Sequence, residues 1–162
     1  MPVTPIIQTL PQKKLIGKSA RMSLVQNTTP MLWKSFMQAR KSIENVVGTN
    51  LYSIQEYDNL SYFKNFNPQT EFTKHAMAEV SSFDTIPDNM ETLTIETGLY
   101  AMFIYKGLPQ NFPQMANYIF TEWLPNSEYI LDNRPHFEVL GAKYNPTSED
   151  SEEEVWIPIK TK

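Results

Sequence analysis

The sequence predicts an α+β fold: duplicated β-α-β-β units forming one antiparallel sheet, with two helices on one face and a ligand groove on the other. Three observations lead there. Apolar residues recur at helical spacing in two separate places, after Thr29 and after Pro109. Each helical stretch lies between segments that alternate apolar and polar residues, as strands do. Matching elements recur at a separation of roughly 80 residues, longer than the period of a solenoid repeat. The expectation is a single domain, 1–162, made of pseudo-repeats about 12–80 and 92–160.

Residues 1–11 carry three prolines and read as an extended lead-in. Residues 14–24 alternate like a strand, with Gly17 a bulge or a point of close approach. Thr29 can cap a helix that has Pro30 at its first position. Trp33, Phe36 or Met37, Arg40, Ile43 and Val47 continue it to Gly48. Residues 51–57 read as a strand, 58–70 as a polar loop and 71–80 as a strand. The last strand puts Phe72, Ala76, Ala78 and Val80 on one face and Thr73, His75, Met77 and Glu79 on the other.

Residues 81–92 are a polar linker. Residues 93–106 read as a strand pair or one long bent strand with Gly98 at the bend. The second helix carries Phe112, Met115, Ala116, Ile119 and Trp123 on its apolar stripe and stops at Pro125. Two strands close the chain, about 136–144 and 153–160, joined by an acidic loop. In the first, Glu138 shares a face with His136 and Leu140, while Phe137 and Val139 point the other way. In the second, Val155, Ile157 and Ile159 alternate against Glu154, Trp156 and Pro158.

Composition narrows the function. The chain is 41% hydrophobic and 12% aromatic, enough for a packed core. A net charge of −4 argues against direct nucleic-acid binding, which needs clustered positive charge. The absence of cysteine excludes disulfides, thiolate catalysis and cysteine-based zinc sites, and fits a cytoplasmic protein. No apolar run approaches the roughly 20 residues of a membrane span, and no secretory leader is visible. His75 and His136 lie in different halves with no third ligand at recognisable spacing, so no metal is expected. No cofactor is expected either, since the five glycines are scattered and form no phosphate loop.

The second half carries GLYAMFIYKG at 98–107, FTEWLP at 120–125, DNRPHFEVL at 132–140 and EEEVWIPIK at 152–160. In this order these segments resemble the GyrI-like small-molecule-binding family. That family includes the effector-binding domains of AraC-type and MerR-type transcription regulators, and stand-alone relatives among them gyrase-inhibitor proteins. The first half matches by element order alone. The resemblance implies a groove for hydrophobic, often cationic, compounds, with aromatic walls and a buried glutamate. It also implies that some relatives hydrolyse cyclopropane-bearing compounds. Glu138 matches the family's strand glutamate, Trp123 the tryptophan before the Leu-Pro, and Glu154 an acidic position at the last strand.

From composition alone, Glu138 reads as solvent-facing, because Glu is rarely buried without a partner. The resemblance instead makes it the groove charge, with Trp123 and strand aromatics as walls. Phe103 and Tyr105 share one strand face and Tyr100 takes the other; Tyr52 is the pseudo-symmetric candidate in the first half. The family's tyrosine two residues after the glutamate is Leu140 here, which weighs for binding over hydrolysis. The expected function is a stand-alone, multidrug-binding or effector-sensing domain for a hydrophobic or cationic small molecule. Two alternatives stay open: a hydrolase of electrophilic compounds in which Glu138 activates water, and a gyrase-inhibitor-like module with a protein partner.

Overall fold

A computed structural model describes residues 3–162. Its strands are β1 (Ile6–Leu10), β2 (Lys13–Met22), β3 (Val46–Glu56), β4 (Phe72–Val80), β5 (Glu91–Ile95), β6 (Gly98–Lys106), β7 (Tyr129–Leu131), β8 (His136–Leu140) and β9 (Glu152–Thr161). The α-helices are α1 (Thr29–Ala39), α2 (Ser61–Lys64) and α3 (Phe112–Tyr118). The strand order is β1-β6-β9-β8-β3-β4-β2-β5, antiparallel throughout, with β7 paired to β9.

That order is symmetric about the β8–β3 pair. Each half is strand, helix, strand, strand: β2-α1-β3-β4 and β6-α3-β8-β9. Each also lends a short strand to the other. β1 precedes β2 in the chain but pairs with β6, and β5 precedes β6 but pairs with β2. So 93–106 is neither a hairpin nor one bent strand: the chain leaves one end of the sheet after Ile95 and starts β6 near the other. The two crossings are tied together by Gln12 N–H donating to Thr97 Oγ1 at 3.1 Å.

The α+β class, the antiparallel sheet and the helices on one face are as the sequence predicts. Ile16, Met22, Phe72, Ala76, Ala78 and Val80 pack under α1 with its buried Leu32 and Phe36. Ala101, Phe103, Tyr105, Val155, Ile157 and Ile159 pack under α3 and the π-helical turn Ile119–Trp123. The helix-free face is not a groove, and this corrects the expectation. The sheet curls, and Leu10, Leu15, Tyr52, Ile54, Met77, Ile95, Tyr100, Met102, Phe137, Val139 and Trp156 fill that face as one core shared by both halves. Phe137 stacks on Trp156 at 5.5 Å and 8°, with Tyr100 and Tyr52 around it at 5.4 and 6.1 Å. Large apolar side chains on that face have more to gain by closing on each other than by lining an open surface.

Local departures have local causes. The proline-rich lead-in holds β1, an edge strand, where proline at the ends costs no ladder bond. The first helix ends at Ala39 and a 3-10 turn, Arg40–Ser42, rather than running to Gly48. Asn45 and Gly48, with φ of 61° and 69°, turn the chain into β3, so Val47 is a strand residue. The loop at 58–70 contains α2, whose Tyr62 and Phe63 pack on Tyr57 at 4.5 and 4.8 Å. The stretch 126–135 holds β7.

Gly17 is a close approach and not a bulge. Its register against Met77 is unbroken, and a Cβ there would stand 2.0 Å from the Ala76 carbonyl oxygen and 2.7 Å from Met77 Cα. Both obstacles are backbone. Gly17→Ala is therefore expected to lower stability by about 1–3 kcal/mol in urea unfolding. An unchanged midpoint would mean that β2 and β4 are not so close.

Candidate functional site

Each helix covers its own half of the sheet, so the middle is left open between them. There a cavity of about 590 Å³ has β3, β8 and β9 as its floor. Leu51, Ser53, Glu138, Leu140 and Glu153 face up from the strands. Thr29, Trp33 and Met37 line it from α1, Pro109 and Phe112 from the start of the second helical segment, and Tyr144 from the turn after β8. The spacing 29, 33, 37 is one stripe of a helix, next to the core stripe Leu32–Phe36. A smaller cavity of about 90 Å³ adjoins it, sharing Glu138 and Phe112 and reaching Tyr57, Phe120 and His136.

Strand parity puts Glu138 there. Phe137 and Val139 belong to the closed core, so the residue between them must face the helices. It sits across from Ser53 on β3 and Val155 on β9, neither of which fills the space above it. Gln55 Nε2 donates to its Oε1 at 3.4 Å, a long bond. Its remaining exposure is to the cavities it lines. Burial raises the pKa of Glu138 above the ordinary value, opposed by the charge of Lys74 and the Gln55 hydrogen bond.

Glu153 joins it. Burial, with the Glu138 charge second, pushes Glu153 up to about 7, and Lys74 opposes this. The Tyr144 phenol is raised by burial and by both carboxylates. His136 lies beyond Glu138 on the same face, fully enclosed: Phe63 stacks on it at 5.2 Å and Tyr57 meets it edge-on at 5.0 Å. Burial, with the Arg134 charge, lowers its pKa to about 3, so it is a neutral ring in an aromatic wall. The site is thus a half-enclosed pocket with aromatic walls and two recessed carboxylates. A low-dielectric setting of this kind favours a positive charge on whatever enters.

Of the residues expected from sequence to contact a ligand (Glu138, Trp123, Tyr105, Phe103, Tyr52 and Glu154), Glu138 alone lines this cavity. Trp123 packs edge-on against Phe103 at 5.2 Å and stacks on Tyr129 at 6.4 Å, half-buried against the core under the second helix. Phe103 is wholly buried there. Tyr105 packs on Phe112 at 5.3 Å and donates its hydroxyl to the Leu108 carbonyl, bracing the cavity wall from behind. Tyr52 faces the closed core and donates to Glu79 Oε1 at 3.1 Å. Glu154 points to that side too and accepts from Trp156 Nε1 at 2.9 Å. Glu153 rather than Glu154 faces Glu138, by the same parity that sets Val155 and Ile157 towards the helices. Trp33, Phe112 and Tyr144 escaped notice as site residues because helix spacing and a turn say nothing about the far wall of a pocket. Among the described residues, no cluster of three or more His, Asp or Glu is placed to hold a metal, and no helix is long and apolar enough to cross a membrane.

The family model for the GyrI-like small molecule binding domain matches residues 4–160. The chain belongs to that family. Solved structures share the fold at low identity. A putative transcription regulation protein from Staphylococcus aureus MU50 is 15% identical, with a TM-score of 0.71 over 98% of this chain and 99% of its own. SAV2435, solved bound to tetraphenylphosphonium, is 16% identical, with a TM-score of 0.72 over 96% and 93% of the two chains. The C-terminal domain of EcmrR is 15% identical, with a TM-score of 0.71 over 100% of both. No curated protein matches the chain in sequence. In this GyrI-like domain the cavity between the helices is the candidate small-molecule site.

The raised carboxyl leaves a mark on stability. A carboxyl whose folded pKa lies above its unfolded value holds its proton more tightly when folded. Its contribution is complete below the ordinary 4.5 and is lost as pH rises through about 7. His136 has the opposite sign, losing stability as pH falls from 6.5 towards about 3. Comparing Glu153→Gln with wild type cancels the histidine. The variant is expected to gain Tm relative to wild type between about pH 5 and about pH 8. Thermal melts across that range check it; a difference flat with pH would place the Glu153 carboxyl in open water.

Proposed function

We propose that this GyrI-like domain binds a hydrophobic cation in the groove between α1 and α3, in the manner of an effector- or drug-sensing domain. The single observation that carries the reading is Glu138: a carboxylate recessed under Trp33, Phe112 and Tyr144 with no ion-pair partner within 4.0 Å among the described residues. Such a group is desolvated without full compensation, and a ligand cation would supply it. Aromatic faces add about 0.5–2 kcal/mol each towards a desolvated cation. The relative solved with tetraphenylphosphonium supports a lipophilic cation as the first probe. Calorimetry with tetraphenylphosphonium and neutral triphenylphosphine oxide tests the reading. Glu138→Gln is expected to weaken the cation by about tenfold or more and the neutral compound by less than about twofold. Equal losses for both would remove the charge from the explanation.

One observation favours a second reading. Tyr144 stands in the cavity with Glu138 and Glu153, so a hydroxyl and two carboxyls line the same wall although Leu140 carries none. The Glu153 carboxyl, at about 7, suits proton transfer at neutral pH, and burial raises Glu138 beside it. Under this reading the domain hydrolyses an electrophilic, cyclopropane-bearing compound with Glu138 activating water. Turnover of such a compound should then fall by about a hundredfold or more in Glu138→Gln. Binding without turnover by the wild type would dispose of it.

A further inference from the structure

We propose that the smaller cavity beyond Glu138 seats a trimethylammonium-sized head, with the ligand's apolar body left in the wider groove. The inference rests on the cation-binding reading and names its ligand class. One small residue makes the space. Phe112, Ala116 and Phe120 recur at four-residue spacing along α3 and the turn after it, and all three line the cavity. Ala116 leaves a notch between the two rings. Opposite the notch are Glu138 and His136 of β8, the latter in register with Gln55 of β3.

The far end is braced. Phe63 of α2 packs on Tyr57 at 4.8 Å, on Phe120 at 5.1 Å and on His136 at 5.2 Å, so one ring holds three of the walls. Glu138 and Phe112 line both cavities and so mark the mouth between them. Glu138 is the one charged side chain in the lining, since His136 is neutral. A cation that enters meets a single carboxylate and several aromatic rings, the combination that holds quaternary ammonium groups.

Size and hydrogen bonding select the head. The cavity measures about 90 Å³. One that holds benzene measures about 150 Å³. A triaryl cation therefore stays in the groove, where about 590 Å³ is open. The four heavy atoms of a trimethylammonium head need less room than a benzene ring. A primary ammonium would bring three N–H donors to a largely apolar lining, and the quaternary head brings none.

The test compares hexyltrimethylammonium with tetraphenylphosphonium, one positive charge each, by calorimetry at about pH 8, above the ordinary carboxyl range. The proteins are wild type, Ala116→Leu, Ala116→Ser and Phe120→Leu. Leucine at 116 fills the notch and should weaken the ammonium by about tenfold or more, and the phosphonium by less than about twofold. Serine keeps the notch open and should leave both affinities within about twofold of wild type. Phe120→Leu removes one ring without filling the space, and should weaken the ammonium by about threefold to tenfold while sparing the phosphonium. This variant decides the matter alone if Ala116→Leu does not fold. Equal losses for the two ligands, or no loss for the ammonium, overturn the proposal and leave the cation reading standing. Wild type that binds the phosphonium and not the ammonium does the same. Wild type that binds neither overturns both.

Discussion

On β8, Phe137 and Val139 are drawn into a core that both halves of the sheet fill, and Glu138 between them has no other side to occupy than the one beneath the helices. A strand offers no third direction. The core side of this bargain is strong. Phe137 lies flat on Trp156 and is flanked by Tyr100 and Tyr52, and each such aromatic pair adds about 0.5–1.5 kcal/mol beyond the area it buries. The entry to the strand is also pinned. Arg134 Nη2 donates to the carbonyls of Leu99 and Ile159 at 2.6 and 3.0 Å, its guanidinium lies 4.8 Å over Tyr100, and the Tyr100 hydroxyl donates to the Pro135 carbonyl at 2.8 Å. Gly98 makes room for this arginine, since a Cβ there would stand 2.2 Å from Nη1. A slip of one residue would exchange Phe137 for Glu138 in the core, so register holds the site in place.

The exchange of β1 and β5 between the halves explains where the cavity is. It closes the helix-free face and ties the halves together, leaving the opposite face to be covered by the helices and the segments beside them. Each helix packs on the strands of its own half. The β3–β8 junction falls between them. Three of the residues facing up at that junction, Ser53, Gln55 and Glu138, are too polar or too small to draw the helices together. The opening therefore follows from which side chains sit at the symmetry axis.

Alternation made much of this legible. It separated Glu138 from Phe137, Val155 from Trp156 and Ala76 from Met77, and all three splits are those of the folded sheet. Two helices in matching places were enough to suggest the duplicated sheet. Alternation does not say which apolar face will close. The face bearing Tyr52, Tyr100 and Trp156 reads as a groove wall until the curl of the sheet buries it. Nor does it reach across space. Trp33 and Met37 are neighbours of Glu138 only because α1 and β8, far apart in the chain, line one cavity. The polar stretch 58–70 hid Phe63, which stacks on His136, and Tyr62 behind it, because the surrounding aspartate, asparagines, lysine and glutamine dominate the pattern.

The two halves of the domain are alike in fold and unlike in charge at the groove. The second half supplies Glu138 and Glu153, with Tyr144 and Phe112; the first supplies Ser53, the amide of Gln55 and the apolar rail of Trp33 and Met37. A symmetric floor would face carboxylate with carboxylate across the β3–β8 pair, and two such charges at close range cannot both stay ionised. Placing Ser53 opposite Glu138 keeps a further carboxylate out of a floor that already holds Glu138 and Glu153. The groove consequently has a direction: positive charge is favoured over β8 and β9, while the α1 side offers apolar surface. A fold built by duplication thus presents a one-way site, and the asymmetry resides in side chains at the junction rather than in the backbone that carries them.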